Sequence, residues 1–116
     1  MADKDIQEKI NQMQIVQQNM QNFAVQRQQF QMQQTETESA LAEIQKTDKA
    51  YKIIGNIMVF VSKDDLSNEL EEKKQMIDIR VKNIEKQENK LREKAEDIQK
   101  EILAQLESKK PKNDAN

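Results

Sequence analysis

Neither cysteine nor histidine occurs in this chain. Disulfides, thiolate nucleophiles, imidazole bases and the usual zinc ligand sets are therefore excluded together. Glycine and proline occur once each, so very few positions can interrupt a helix. No apolar run approaches the roughly 20 residues that a membrane-spanning helix needs. The N-terminal stretch MADKDIQEK has no apolar signal core, so a cytoplasmic location with no membrane partner is expected. A surplus of one charge is also lacking. The net charge is −2 and the pI is near 5.3, with lysines interleaved among acids, so nucleic acid is not an expected partner. With no phosphate loop, metal cluster or nucleophile and base set in the sequence, no catalytic residue, metal site or cofactor is expected, and the chain is not expected to be an enzyme.

What is present is helix-forming. At 116 residues, 35% hydrophobic and 34% charged, the chain has too little apolar surface for a globular core of its size, and its composition favours long helices. Asp5 with Glu8 reads as a capping box. From there, positions spaced alternately three and four apart fall at Ile6, Lys9, Met13, Val16, Met20 and Phe23, then at Arg27, Phe30, Gln34, Thr37, Leu41 and Ile44. This is a heptad seam with polar interruptions, and it predicts a helix over 5–47. The stretch from Gln12 to Gln34 is rich in glutamine. Because its apolar residues keep helical spacing and glutamine is a good helix former, it reads as a solvated helix surface and not as disorder.

A second helix is predicted over 63–108, opened by Ser62 with Asp65 as its cap. Its seam carries Leu70, Ile77, Ile84, Leu91 and Ile98 at strict seven-residue intervals, with Val81, Ala95 and Ile102 between them. The segment 109–116, which contains Pro111, is expected to fray.

Between the helices lies the one stretch that does not read as helix, YKIIGNIMVFV at residues 51–61. Two β-branched and aromatic runs flank Gly55 and Asn56, a dipeptide suited to a two-residue hairpin turn, with Gly55 supplying a positive φ. Strand parity assigns Tyr51, Ile53, Ile57, Val59 and Val61 to one face and Ile54, Met58 and Phe60 to the other. With both faces apolar and both edges open, the hairpin is expected to meet copies from other chains in a shared sheet or barrel. The hairpin also reverses the chain, so the two helices, each roughly 60 Å long at 1.5 Å per residue, are expected to run antiparallel. In that register Leu41 lies near Leu70, Phe30 near Val81, Met20 near Leu91 and Ile10 near Ile102. The expected fold class is mainly α, a long antiparallel two-helix coiled coil joined by one β-hairpin that oligomerises into a β-barrel body.

A long helix, the run Tyr51-Lys52-Ile53-Ile54-Gly55-Asn56-Ile57-Met58-Val59, and a second heptad helix resemble the β-type subunits of prefoldin, archaeal ones most of all. Ala24-Val25-Gln26-Arg27-Gln28 and Glu38-Ser39-Ala40-Leu41-Ala42-Glu43-Ile44 in the first helix fit the pattern, as does Arg80-Val81-Lys82-Asn83-Ile84-Glu85-Lys86-Gln87-Glu88 in the second. The single hairpin distinguishes this pattern from the two-hairpin α type.

The resemblance implies an ATP-independent chaperone, built as a hexamer of two α and four β subunits. Its hairpins form β-barrels, and its coiled-coil tips hold unfolded polypeptides for transfer to a group II chaperonin. The corresponding tip residues here are Ile6, Ile10, Met13, Ile98, Ile102, Leu103 and Leu106. Of these, Ile10, Leu103 and Leu106 lie off the strict seam. The competing reading is a structural coiled-coil tether with no client.

Overall fold

The computed structural model describes residues 2–108, with side chains from residue 4 onward. The order of elements is α1 (Ala2–Ile44), β1 (Ala50–Ile54), β2 (Ile57–Val61) and α2 (Lys63–Ser108). The segment 109–116, expected to fray, lies outside the described residues.

Both ends of α1 differ from the expected 5–47. The helix is already formed at Ala2, so Asp5 sits inside it and does not cap it; no glycine or proline precedes Asp5 to stop the helix there. At the other end the helix closes at Ile44. Lys46 N donates to Glu43 O at 3.0 Å, a tightened last turn of the kind that satisfies terminal carbonyls. Thr47 then uses its hydroxyl locally, donating to Lys49 O at 2.9 Å and accepting from Lys49 N at 3.2 Å. Such a side-chain turn competes with continued helix. At the start of α2, Asp65 N donates to Ser62 Oγ at 3.4 Å and Leu66 N to Ser62 O at 3.0 Å, which makes Ser62 the cap. Asp64 and Asp65 in the first turn place negative charge where the helix dipole favours it.

Contacts divide the chain into two compact units, one formed by the residues up to Val25 and those from Glu85 onward, the other by Gln26–Ile84. In the second unit, Thr37, Ile44, Ala50, Ile77, Val81 and Ile84 are buried. Gln34 Nε2 donates to Asp78 Oδ1 at 2.8 Å, and the Arg80 guanidinium lies 5.6 Å from the centre of the Phe30 ring, within cation–π range. Arg80 is the immediate neighbour of Val81, the residue expected beside Phe30, so the helical segments of this unit run antiparallel in the register read from the seam. In the first unit Val16 and Ile98 are buried. Lys9 pairs with Glu101, one residue from the expected Ile10 and Ile102 pairing. Throughout α1 every seam position from Ile6 to Ile44 is buried or half-buried. The polar interruptions are thus true core positions. Thr37 is 3% exposed and donates from Oγ1 to Gln33 O at 2.7 Å, which satisfies its hydroxyl within its own helix.

Candidate interaction surfaces

The hairpin is a two-stranded antiparallel sheet in which Ala50 pairs with Val61, Tyr51 with Phe60, Lys52 with Val59, Ile53 with Met58 and Ile54 with Ile57. Gly55 has φ +59° and no other described residue has a positive φ. Positive φ at the first central position alone is the type II′ pattern, whose twist matches that of the flanking strands.

This register corrects the assignment of faces from parity. Directly opposed residues of an antiparallel pair share a face, and a two-residue turn pairs an odd-numbered residue with an even-numbered one. The faces therefore exchange across the turn. One face carries Tyr51, Ile53, Met58 and Phe60; the other carries Ala50, Lys52, Ile54, Ile57, Val59 and Val61. The Tyr51 and Phe60 rings meet edge to face, with centroids 5.6 Å apart, a favourable aromatic geometry.

The residues expected to drive assembly are almost all uncovered. Tyr51, Ile53, Ile54, Ile57, Met58 and Phe60 are each more than half exposed, Val59 is 38% exposed, and Val61 is half-buried. Ala50, not singled out from the sequence, is the anchor at 5% exposure. It is small and takes the first position of β1, ahead of the β-branched and aromatic run, so periodicity carries no signal for it. Lys52 is the one charged residue within the two strands. Its Nζ lies 2.5 Å from Glu69 Oε1 of α2, which ties the hairpin to the start of that helix. A hollow at the hairpin base is floored by Ile44, Ala50, Leu66 and Leu70.

The expected tip residues all lie in the first unit and separate into three grades. Ile98 is buried; Ile6, Met13 and Ile102 are half-buried. Ile10, Leu103 and Leu106 are exposed, at 36%, 51% and 46%. Sequence reasoning did not single out Ile15, Met32, Met76 and Ile79, all more than half exposed. They fall off both seams, so heptad counting leaves them among the polar positions. Among the described residues, no group of three or more Asp or Glu side chains is placed to hold a metal ion, and no helix is long and apolar enough to cross a membrane.

The prefoldin subunit family matches residues 7–109 of this chain. The prefoldin β subunit of Archaeoglobus fulgidus is 40% identical over 84% of this chain and 86% of the relative. That of Methanospirillum hungatei is 32% identical over 90% of each. The crystal structure of the prefoldin β subunit from Thermococcus strain KS-1 superposes with a TM-score of 0.84 at 33% identity, covering 92% of this chain and 95% of that one. Two long helices joined by one apolar hairpin, shared with these β subunits over most of the sequence, show that the chain belongs to the prefoldin subunit family.

Proposed function

We propose that this chain is a subunit of an ATP-independent holdase, in which hairpins join the subunits and the helix ends capture unfolded polypeptides for delivery to a group II chaperonin. Its partners are an α-type subunit and further copies of itself, in a hexamer of two α and four β chains. Its setting is the cytoplasm, and it has no catalytic role. The observation that carries the reading is the exposure of Ile10, Leu103 and Leu106 beside a seam that buries Val16 and Ile98. Apolar side chains off the seam and near the chain ends add little to helix pairing, but they offer the adaptable apolar contact that an unfolded chain requires. Met13, half-buried beside them, adds a flexible and polarizable side chain.

The test is aggregation of an unrelated unfolding protein, followed by light scattering without nucleotide, in the presence of the chain assembled with an α-type partner. The assembled wild type should suppress aggregation. The triple variant Ile10→Ser, Leu103→Ser, Leu106→Ser should assemble equally well and suppress at least several-fold less. Full protection by that variant would move client binding away from the helix ends. A wild-type assembly that gives no protection would favour the tether.

A further inference from the structure

Where α1 and α2 lie side by side in the second unit, a shallow groove of about 180 Å³ is lined by Phe30, Gln33, Lys73, Met76, Ile77 and Arg80. Its apolar lining is graded: Ile77 is buried, Phe30 is half-buried and Met76 is 60% exposed. Its α2 side also carries two cations, Lys73 and Arg80, and among the described residues neither forms an ion pair. The sequence accounts for this. Arg80 has only Met76, Ile77, Asn83 and Ile84 three and four places away. The one acid so placed from Lys73 is Glu69, and Lys52 holds it. Across the groove α1 presents Gln33, part of its glutamine-rich stretch, and not a carboxylate. We infer that this groove is a docking surface for an acidic, apolar segment of another polypeptide, with Lys73 and Arg80 pairing its carboxylates and Phe30, Met76 and Ile77 receiving the apolar side chain between them. The inference does not depend on how the helix ends or the hairpin are used.

The occupant follows from charge and size. Seven residues separate Lys73 from Arg80, which places them on one flank of α2 and about 10 Å apart along its axis at 1.5 Å per residue. An extended segment covers that distance in about three residues, so its carboxylates flank one apolar side chain. Arg80 is already positioned for such a partner. Its guanidinium lies 5.6 Å from the centre of the Phe30 ring, and a planar group held in this way loses little freedom when a carboxylate takes its donors. Beside an apolar lining the pairing is also stronger than in open water. Gln33 adds an amide donor and acceptor for the segment's backbone. Other occupants fit less well. The groove is smaller than the roughly 300–1,000 Å³ of small-molecule sites. A chain of phosphates would meet Glu36 and Glu72, which adjoin the lining residues in sequence, with only two cations to offset them.

The test is NMR of the full chain carrying 13C-methyl methionine, read at Met76 during titration with the peptide Ser-Glu-Leu-Ala-Glu-Ser. The Met76 signal should shift and saturate. Changing both glutamates of the peptide to lysine, or its leucine to serine, should weaken binding by at least about fivefold. Lys73→Gln and Arg80→Gln should each weaken it by about threefold or more. Lys82→Gln with Lys86→Gln is the control, two exposed cations of the same helix outside the groove, and should change Kd by less than about twofold. Circular dichroism verifies helix content in each variant. Lys73 has no ion pair to lose, so its variant reads the groove even where Arg80→Gln disturbs Phe30. No shift of Met76 at millimolar peptide overturns the inference, as does equal binding of the lysine peptide. Equal loss in the control variant reduces the attraction to net charge and overturns the groove. A Met76 shift that grows with the concentration of the chain alone places a second copy there and overturns the choice of partner.

Discussion

Single residues carry much of what is specific in this chain, and Gly55 is the clearest. A Cβ built there meets no atom within 4 Å, so crowding does not explain the glycine. Its φ of +59° does, since L-residues in the left-handed region cost roughly 1–2 kcal/mol. Gly55→Ala should therefore weaken the hairpin by about that amount. Gly55→Asn should weaken it less, because asparagine tolerates this region better. Amide hydrogen exchange across 51–60 measures both, and equal loss of protection in the two variants would contradict a purely conformational origin. Thr37 makes the complementary point. Among the described residues its hydroxyl bonds only to the carbonyl of Gln33, which the helix already uses, so Thr37→Val removes a polar group without orphaning a partner. Thermal unfolding should show no loss, and a gain of up to about 1 kcal/mol.

At the scale of elements, the seams were legible and the sheet was only partly so. Heptad spacing is set within one helix, so Ile77, Val81, Ile84 and Ile98 could be counted from the sequence, and all four are buried. Even Gln34 and Thr37, whose chemistry argued against them, were placed by position alone. The faces of the hairpin depend on how one strand registers on the other, which the sequence constrains only through the turn. Counting parity straight through Gly55 and Asn56 put Tyr51 and Phe60 on opposite sides, whereas the turn brings their rings together. Helix ends were harder still, because Ile44 is followed by residues of good helix propensity and the stop comes from the Thr47 hydroxyl. The α2 seam also runs one step beyond Ile102. Gln105, the next position in the heptad, is half-buried, and its Oε1 is buried with no hydrogen-bond partner among the described residues. A buried unpaired amide oxygen opposes folding by roughly 1–3 kcal/mol. Gln105→Leu should therefore raise the unfolding midpoint in a urea titration without changing its slope. A lowered midpoint would mean that the amide is used.

For the whole molecule, the proposed activity depends on the number of helix ends acting together. Each end offers a small exposed apolar set, Ile10, Leu103 and Leu106. Burying a large aliphatic side chain completely contributes about 1.5–3 kcal/mol, and these begin only partly exposed. Against the entropy of immobilising a flexible client, one end holds an unfolded chain weakly and releases it quickly. Several ends carried on one assembled body convert later contacts into intramolecular events, and the combined affinity can exceed that of a single end by orders of magnitude. The dependence on valency separates this mechanism from independent sites. Assemblies reconstituted from mixtures of wild-type chain and the Ile10→Ser, Leu103→Ser, Leu106→Ser variant carry a graded number of intact ends. Aggregation suppression should fall faster than the wild-type fraction, with most protection lost while about half of the subunits remain intact. A decline strictly proportional to that fraction would mean that each end binds alone, and the assembly would then have to serve some purpose other than grip.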